Sequence, residues 1–292
     1  MYNFQLKIII ALLFIFTQYD VNAQGQKAEL NIKQPIKILS WNIHMLPATI
    51  YHATKKVKRA KLLADEFIQR DYDILVIQEA FHFRTRRILK RKLKEHYVFI
   101  SKPLNFRFFS LKTNGGVWVL SKIRFEEIAS IKYDVATGSS RWARKGAVLF
   151  QGEIEGKLFQ LIGTHTNGGS VNDRQFQMIH DELIQPYELK DVPQLICGDL
   201  NCNFENEIEY QSMLNILDAE DTPRNGGFNY SNHEKTSIID YILIRKNESS
   251  FSQISKKIIL IGSDWKVGKR RFPETVGLSD HMPLELYFKF VP

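Results

Sequence analysis

Short runs of apolar residues, each of strand length, recur along the chain. They occupy Ile36–Ile43, Ile74–Ile77, Tyr97–Ser101, Val117–Leu120, Ala147–Ile154 and Phe159–Gly163. Gln194–Cys197, Ile238–Ile244, Lys257–Ile261 and Leu284–Val291 continue the series. Runs of this length between polar segments read as strands. Helical spacing interrupts them. Val57, Ala60, Ala64, Phe67 and Ile68 form an apolar stripe among lysines and arginine, and Phe176, Ile179, Leu183 and Ile184 form another within 172–185. Asn172 or Asp173 would cap the second helix. A third helix is predicted over Ile208–Leu217. The runs at 147–154 and 158–163 are joined by a short turn containing Gly156, which predicts a hairpin. The pattern is mixed α/β with much antiparallel pairing in one domain.

The first 23 residues stand outside this pattern. Lys7 precedes the apolar run Ile8–Phe16, and Val21-Asn22-Ala23 supplies small residues, so 1–23 reads as a signal peptide cleaved after Ala23. The apolar run falls short of the roughly 20 residues that span a bilayer. The mature chain, 24–292, is expected to be secreted or periplasmic, without a transmembrane span, and a monomer. Its formal charge of +8 favours an anionic partner without choosing among nucleic acid, a membrane surface and a phosphorylated substrate. Cys197 and Cys202, the only cysteines, fit a disulfide poorly across a strand end. Cys197 reads as a small core residue.

Polar residues gather where these strands end. Asn42 follows "ILSW", Glu79 follows "ILVIQ", His165 ends "LIGTH", and Asp199 and Asn201 end "LICGDLN". Asp240 lies within "SIIDYILI", and Asp280 and His281 precede the last strand. Each has an ordinary explanation. Asp199 with Asn201 could be an Asx turn, Glu79 a solvated strand end, and His165 a hydrogen-bonded loop histidine. Asp240 sits among apolar neighbours and needs a partner, which His281 could supply. Together they suit one chemistry. Carboxylate and carboxamide oxygens suit a hard divalent cation such as Mg²⁺. Two histidines with an aspartate suit proton transfer and stabilisation of a phosphorane-like transition state.

In this order the motifs resemble those of the endonuclease/exonuclease/phosphatase superfamily. They are Asn42, Gln78-Glu79, Gly163-Thr164-His165, Gly198-Asp199-Leu200-Asn201, Ile239-Asp240-Tyr241 and Ser279-Asp280-His281. The resemblance implies a DNase I-like fold: a four-layer α/β sandwich of two packed mixed β-sheets flanked by helices. It also implies a metal-dependent phosphodiesterase cleft at their edge. Glu79 would then be the principal metal ligand, with Asn42 and Asp280 near the metal or a second one, Mg²⁺ or another divalent ion such as Mn²⁺. Asp199 and Asn201 would position the attacking water and the scissile phosphate. His281, oriented by Asp240, would act as general base or transition-state stabiliser. His165 would hydrogen-bond the phosphate and help the leaving oxygen depart.

Within the superfamily, "NIHMLP" (42–47) and "QEAFHFRTRRIL" (78–89) resemble the neutral sphingomyelinases, as does Lys145-Gly146 before a strand. The implied substrate is a phospholipid or sphingolipid head group at a membrane surface. Two departures stand out. Thr166-Asn167-Gly168-Gly169 follows His165 where those enzymes have Leu-Gln. The segment 262–279 carries only Trp265 and Phe272, a thin version of the aromatic membrane hairpin of bacterial members. The alternative is an exported DNase I-like endonuclease, supported by the basic runs "KKVKRAK" (55–61) and "RTRRILKRKLK" (84–94). A third class is a catalytically inactive binding protein on the same scaffold.

Overall fold

The computed structural model describes residues 35–47, 55–154, 156–232, 234–246, 251–267 and 275–290. The proposed signal peptide and Phe272 lie outside them. Residues Ile32–Pro292 form one compact unit. Its strands are β1 (Ile36–Asn42), β2 (Ile74–Gln78), β3 (Phe99–Ile100), β4 (Trp118–Ser121), β5 (Phe125–Lys132), β6 (Gly146–Ile154) and β7 (Lys157–His165). They continue with β8 (Gln194–Asp199), β9 (Ala219–Glu220), β10 (Asp240–Arg245), β11 (Phe251–Ile258), β12 (Lys266–Val267), β13 (Thr275–Val276) and β14 (Leu284–Phe290). The α-helices are α1 (Lys56–Arg70), α2 (Phe83–Leu93), α3 (Asn172–Ile179) and α4 (Glu207–Ile216).

Two six-stranded mixed sheets result, ordered β11-β14-β1-β2-β4-β3 and β5-β6-β7-β8-β10-β9. Each holds one parallel pair near its centre, β1 with β2 and β7 with β8. Parallel neighbours need a helical crossover, and α1 and α3 supply it. The central strands are apolar on both faces because both are covered. One face of β1 and β2 meets β7, β8 and β10 of the other sheet. The other face carries Leu39, Trp41, Leu75 and Ile77, which join Ala60, Leu63, Ala64 and Phe67 of α1 and Leu89 and Leu93 of α2 in one core. Trp41 and Phe67 meet edge to face, 6.1 Å between centroids. Phe176, Ile179, Leu183 and Ile184 are buried beyond the second sheet. Helices, sheet, sheet and helices make the four layers expected from the sequence.

Three expectations change. The helix predicted over 172–185 is α-helical only to Ile179, then passes through a π turn at His180–Ile184. The last-but-one long strand runs 251–258 rather than 257–261. β5 is not legible as an apolar run, because it is an edge strand with exposed Glu126 and Glu127. Both cysteines are buried and free.

One buried side chain ties the ends of the first sheet together. Arg59, on the core face of α1, donates to the carbonyls of Ile43, His44 and Leu278. The loops after β1 and before β14 are thereby held to one helix. Burial lowers its pKa to about 10, still cationic at neutral pH. Removing it would strand three buried carbonyls, each worth about 1–3 kcal/mol. We expect Arg59→Met to lower unfolding free energy by at least about 3 kcal/mol in urea titration, with Arg59→Lys recovering only part.

Candidate active site

Strand register alone delivers most of the site. Asn42 pairs with Gln78 across β1 and β2, so Asn42 and Glu79 leave the first sheet at the same edge. His165 pairs with Asp199 across β7 and β8, and Asp199 pairs with Asp240 across β8 and β10. Three ionisable side chains are thus set in a row at the end of the second sheet. Gly198 permits the close pairing, since a Cβ there would lie 2.1 Å from the Thr164 carbonyl oxygen. The loop before β14 brings Asp280 and His281 to the same place. Ser279 Oγ fixes that loop by donating to the Asn42 carbonyl at 2.6 Å.

Asp199 is the hub. Its Oδ2 accepts from Asn42 Nδ2 at 2.9 Å and lies 3.4 Å from His165 Nε2 and 3.7 Å from His281 Nε2. Its Oδ1 accepts the Asn201 backbone N–H at 3.1 Å. The Asx turn and the site residue are therefore the same carboxylate. Asn201 adopts φ 47°, a left-handed backbone that asparagine tolerates. Its side-chain amide donates to the Thr166 carbonyl at 3.0 Å.

Asp240 and His281 form the expected pair, with Oδ2 2.9 Å from Nδ1. Burial raises the Asp240 carboxyl to about 6. Burial opposes charge on His281, but Asp240 and Asp199 outweigh it and hold the imidazole well above its usual range. The shared proton belongs to the histidine at neutral pH. His165 behaves oppositely. Burial, Lys145 and His281 push it well below the ordinary value, so it is neutral. Its Nε2 lies 2.8 Å from Lys145 Nζ, while its Nδ1 is buried without a hydrogen-bond partner among the described residues.

Glu79, Asp280 and His44 form a second group beside the first. His44 Nδ1 lies 2.7 Å from Asp280 Oδ2 and 3.7 Å from Glu79 Oε2. That Glu79 oxygen is buried and makes no hydrogen bond among the described residues. Burial raises the Glu79 carboxyl, against the pull of His44. Burial would raise Asp280 too, but its contact with His44 and the charges of His281 and Arg59 hold it below the usual range. Glu79 sits at φ 54°, an unfavourable backbone for a glutamate outside a turn. An orphaned carboxylate oxygen beside a second carboxylate is what a hard divalent cation would satisfy. Asn42 joins the two groups, because its Oδ1 accepts the His44 N–H at 3.1 Å while its amide holds Asp199. Asp199, Asp240 and His281 also offer ligand atoms within 4.8 Å of one another. There the Asp240–His281 hydrogen bond already fills the space with a proton.

All eight residues singled out from the sequence meet at this edge. His44 and Lys145 were not among them. His44 was visible only as the third residue of "NIHMLP", and Lys145 only as a lysine before a buried strand. Lys145 is buried, which lowers it to about 8 against the pull of Asp199 and Glu79. Trp265 belongs to the thin aromatic segment noted in the sequence. It packs partly buried against the core, with Lys58 Nζ 4.9 Å from its ring centroid.

A family profile described as "Endonuclease/Exonuclease/phosphatase family" matches residues 39–281. The chain is 29% identical to Sphingomyelinase C 2 of Leptospira interrogans over 92% of its own length and 48% of that protein, so it spans about half of that relative. It is 25% identical to Phospholipase C of Staphylococcus aureus over 96% of this chain and 94% of that one. Its fold matches the crystal structure of a beta toxin from Staphylococcus aureus with bound magnesium ions. The TM-score is 0.75 at 23% identity, covering 87% of this chain and 99% of the toxin. The expected fold, and a phosphodiester hydrolase resembling the sphingomyelinases, are borne out. With that profile spanning all six motif groups, from Asn42 to Ser279-Asp280-His281, the chain belongs to the endonuclease/exonuclease/phosphatase family.

Proposed function

We propose that residues 24–292 form an exported, divalent-cation-dependent phosphodiesterase that releases the phosphorylated head group of sphingomyelin or a related choline phospholipid. The observation that carries this reading is the meeting of the Glu79–Asp280 carboxylates with the Asp199–Asp240–His281–His165 cluster at one edge, bridged by Asn42. The lipid substrate is supported by the sphingomyelinase C and phospholipase C relatives. Export is supported by the leader-like first 23 residues. No helix among the described residues is long and apolar enough to cross a membrane.

Glu79, Asp280 and the side-chain oxygen Oδ1 of Asn42 would hold Mg²⁺, or Mn²⁺, whose charge would offset the negative charge that builds on the phosphoryl oxygens. The chain's own residues do the rest. Asp199 and Asn201 orient the attacking water and the phosphate. Asp240 fixes His281 in one orientation, so that the imidazolium presents Nε2–H to a phosphoryl oxygen. Neutral His165, whose Nε2 lies 3.4 Å from Asp199 Oδ2, would hydrogen-bond the phosphate from that side of its ring. Lys145 would add a positive charge beside His165, its Nζ 2.8 Å from Nε2.

The nuclease reading loses part of its basis. Of its two basic runs, Lys56, Arg59 and Arg86 are buried and spent on the carbonyls of Pro47, Ile43, His44, Leu278 and Ala80. Lys92 is paired with Asp65.

Three outcomes are expected. Chelation by EDTA abolishes turnover and added Mg²⁺ or Mn²⁺ restores it, whereas Glu79→Gln retains the fold by circular dichroism and loses the Mg²⁺-induced rise in Tm. Asp240→Asn lowers kcat by about 10²–10⁴ with KM nearly unchanged, since it disturbs His281 and not the bound lipid. Near-normal turnover in that variant would make the carboxylate structural only. In a panel of sphingomyelin, phosphatidylcholine, plasmid DNA and inositol phosphates, phosphocholine release from the lipids exceeds all other cleavage. Nicked plasmid without phosphocholine release would transfer the function to nucleic acid.

A further inference from the structure

The loop between β3 and β4 carries "NFRFFSLK" (105–112), an aromatic and basic segment that the catalytic cluster does not use. Phe108 is 83% exposed, Phe109 94% and Leu111 99%, and the two rings stack only on each other, edge to face with centroids 5.1 Å apart. Rings left this bare at a loop tip contribute nothing to the core. The loop is nonetheless firmly rooted. Asn105 donates to the carbonyls of Ile131 and Arg144, and Thr113 exchanges backbone hydrogen bonds with Trp142 and Arg144. Asn114 Nδ2 donates to the Phe81 carbonyl, and Gly116 accepts the Ala80 N–H. Its roots thus adjoin the residues that follow Glu79 on one side and precede Lys145 on the other.

Cations line two hollows that share residues with this loop. A concavity of about 420 Å³ beside it is lined by Arg107, Lys112, Lys132, Arg141 and Arg144, and its acid, Asp134, is already paired with Arg174 at 2.8 Å. A groove of about 920 Å³ is lined by Phe83 and Phe106 with Arg87, Lys90 and Lys102, and by one acid, Glu127. We propose that loop 105–112 is a membrane-docking element, in which Phe108, Phe109 and Leu111 enter the acyl boundary while the flanking arginines and lysines bind the phosphates of anionic lipids. Apolar tips ringed by cations match a lipid interface, where rings partition to the headgroup level and each nearby cation adds attraction. A nucleic acid would use the cations but not a fully exposed leucine. Docking there seats the catalytic rim on the bilayer. This rests on the proposed lipid substrate.

The test separates docking from catalysis. The mature protein in EDTA is sedimented with vesicles of phosphatidylcholine and sphingomyelin, with or without phosphatidylglycerol. Phe108→Ser/Phe109→Ser/Leu111→Ser is expected to lower the partition coefficient about tenfold or more on both vesicles. Arg107→Glu/Arg141→Glu should erase the gain from phosphatidylglycerol and its salt sensitivity. Both variants should still hydrolyse a soluble chromogenic phosphocholine ester at the parent rate once Mg²⁺ is restored. Phe109→Cys bearing an environment-sensitive dye should brighten on vesicle addition. Unchanged partition in the triple variant, an unresponsive dye, or loss confined to duplex DNA binding would overturn the proposal. Vesicle binding that depends on the loop, without phosphocholine release, would sink the substrate reading and leave the docking element standing.

Discussion

The hydrogen bond from Asn42 to Asp199 joins the two sheets at the one edge where both run out of apolar residues. Everything catalytic in this molecule depends on that edge. Each sheet contributes a parallel pair whose strands end in polar side chains, and the pairs face each other across a core that tolerates no offset. A buried amide between two carboxyl-bearing strand ends costs little only if every polar atom finds a partner. Asn42 meets that condition with its amide on Asp199 and its carbonyl on the His44 N–H. Arg59 does the same for the loops on either side, holding Ile43, His44 and Leu278 by their carbonyls. Backbone contacts thus place the strand ends and loops, and side-chain pairs such as Asn42–Asp199 and Asp240–His281 complete the site.

The electrostatics follow from crowding. Four carboxylates, Glu79, Asp199, Asp240 and Asp280, converge with few chain cations to balance them. Two responses are visible. Around Asp199 and Asp240 the balance comes from protons and lysine, with His281 held charged and Lys145 close by His165. Around Glu79 it does not, since one of its oxygens is buried with no hydrogen bond among the described residues. His165 and His281 sit on opposite sides of Asp199 and are driven to opposite protonation states. Pairs of titratable groups pushed apart in this way divide the acid and base tasks of a reaction between them.

The strand-end residues were legible in the sequence because apolar runs with polar termini leave little choice about where a carboxylate goes. Asp240 was legible for a different reason, as an acid among apolar neighbours that required a cationic partner. His44 was not legible, because it reaches Asp280 only through a left-handed turn after β1, with φ 49°. Lys145 was visible only as half of a Lys145-Gly146 pair before a strand, with no place in the site. The two basic runs read as uniform charge, yet their periodicity hid Arg59 and Arg86, which point inward and cap carbonyls. β5 was missed since one edge strand with charged faces carries no apolar run. The aromatic loop was legible in principle. Four large apolar residues interleaved with arginine and lysine inside a turn region had no core to join.

That last point bears on how the surface charge should be understood. A formal charge of +8 suggested a broad cationic surface for an anionic partner, but the buried arginines cannot contribute to one. Part of what remains outside lines the hollows beside α2 and the loop after β3, near exposed phenylalanines, while other cations such as Lys61, Lys190 and Lys289 are exposed elsewhere. Charge spread over a surface serves solubility; charge gathered around bare rings at the mouth of a site serves contact with an amphipathic phase. A polyanion in solution would be met equally well by cations alone. The coincidence of cations, rings and catalytic edge is therefore more demanding than net charge, and it is the feature on which the proposed membrane docking rests.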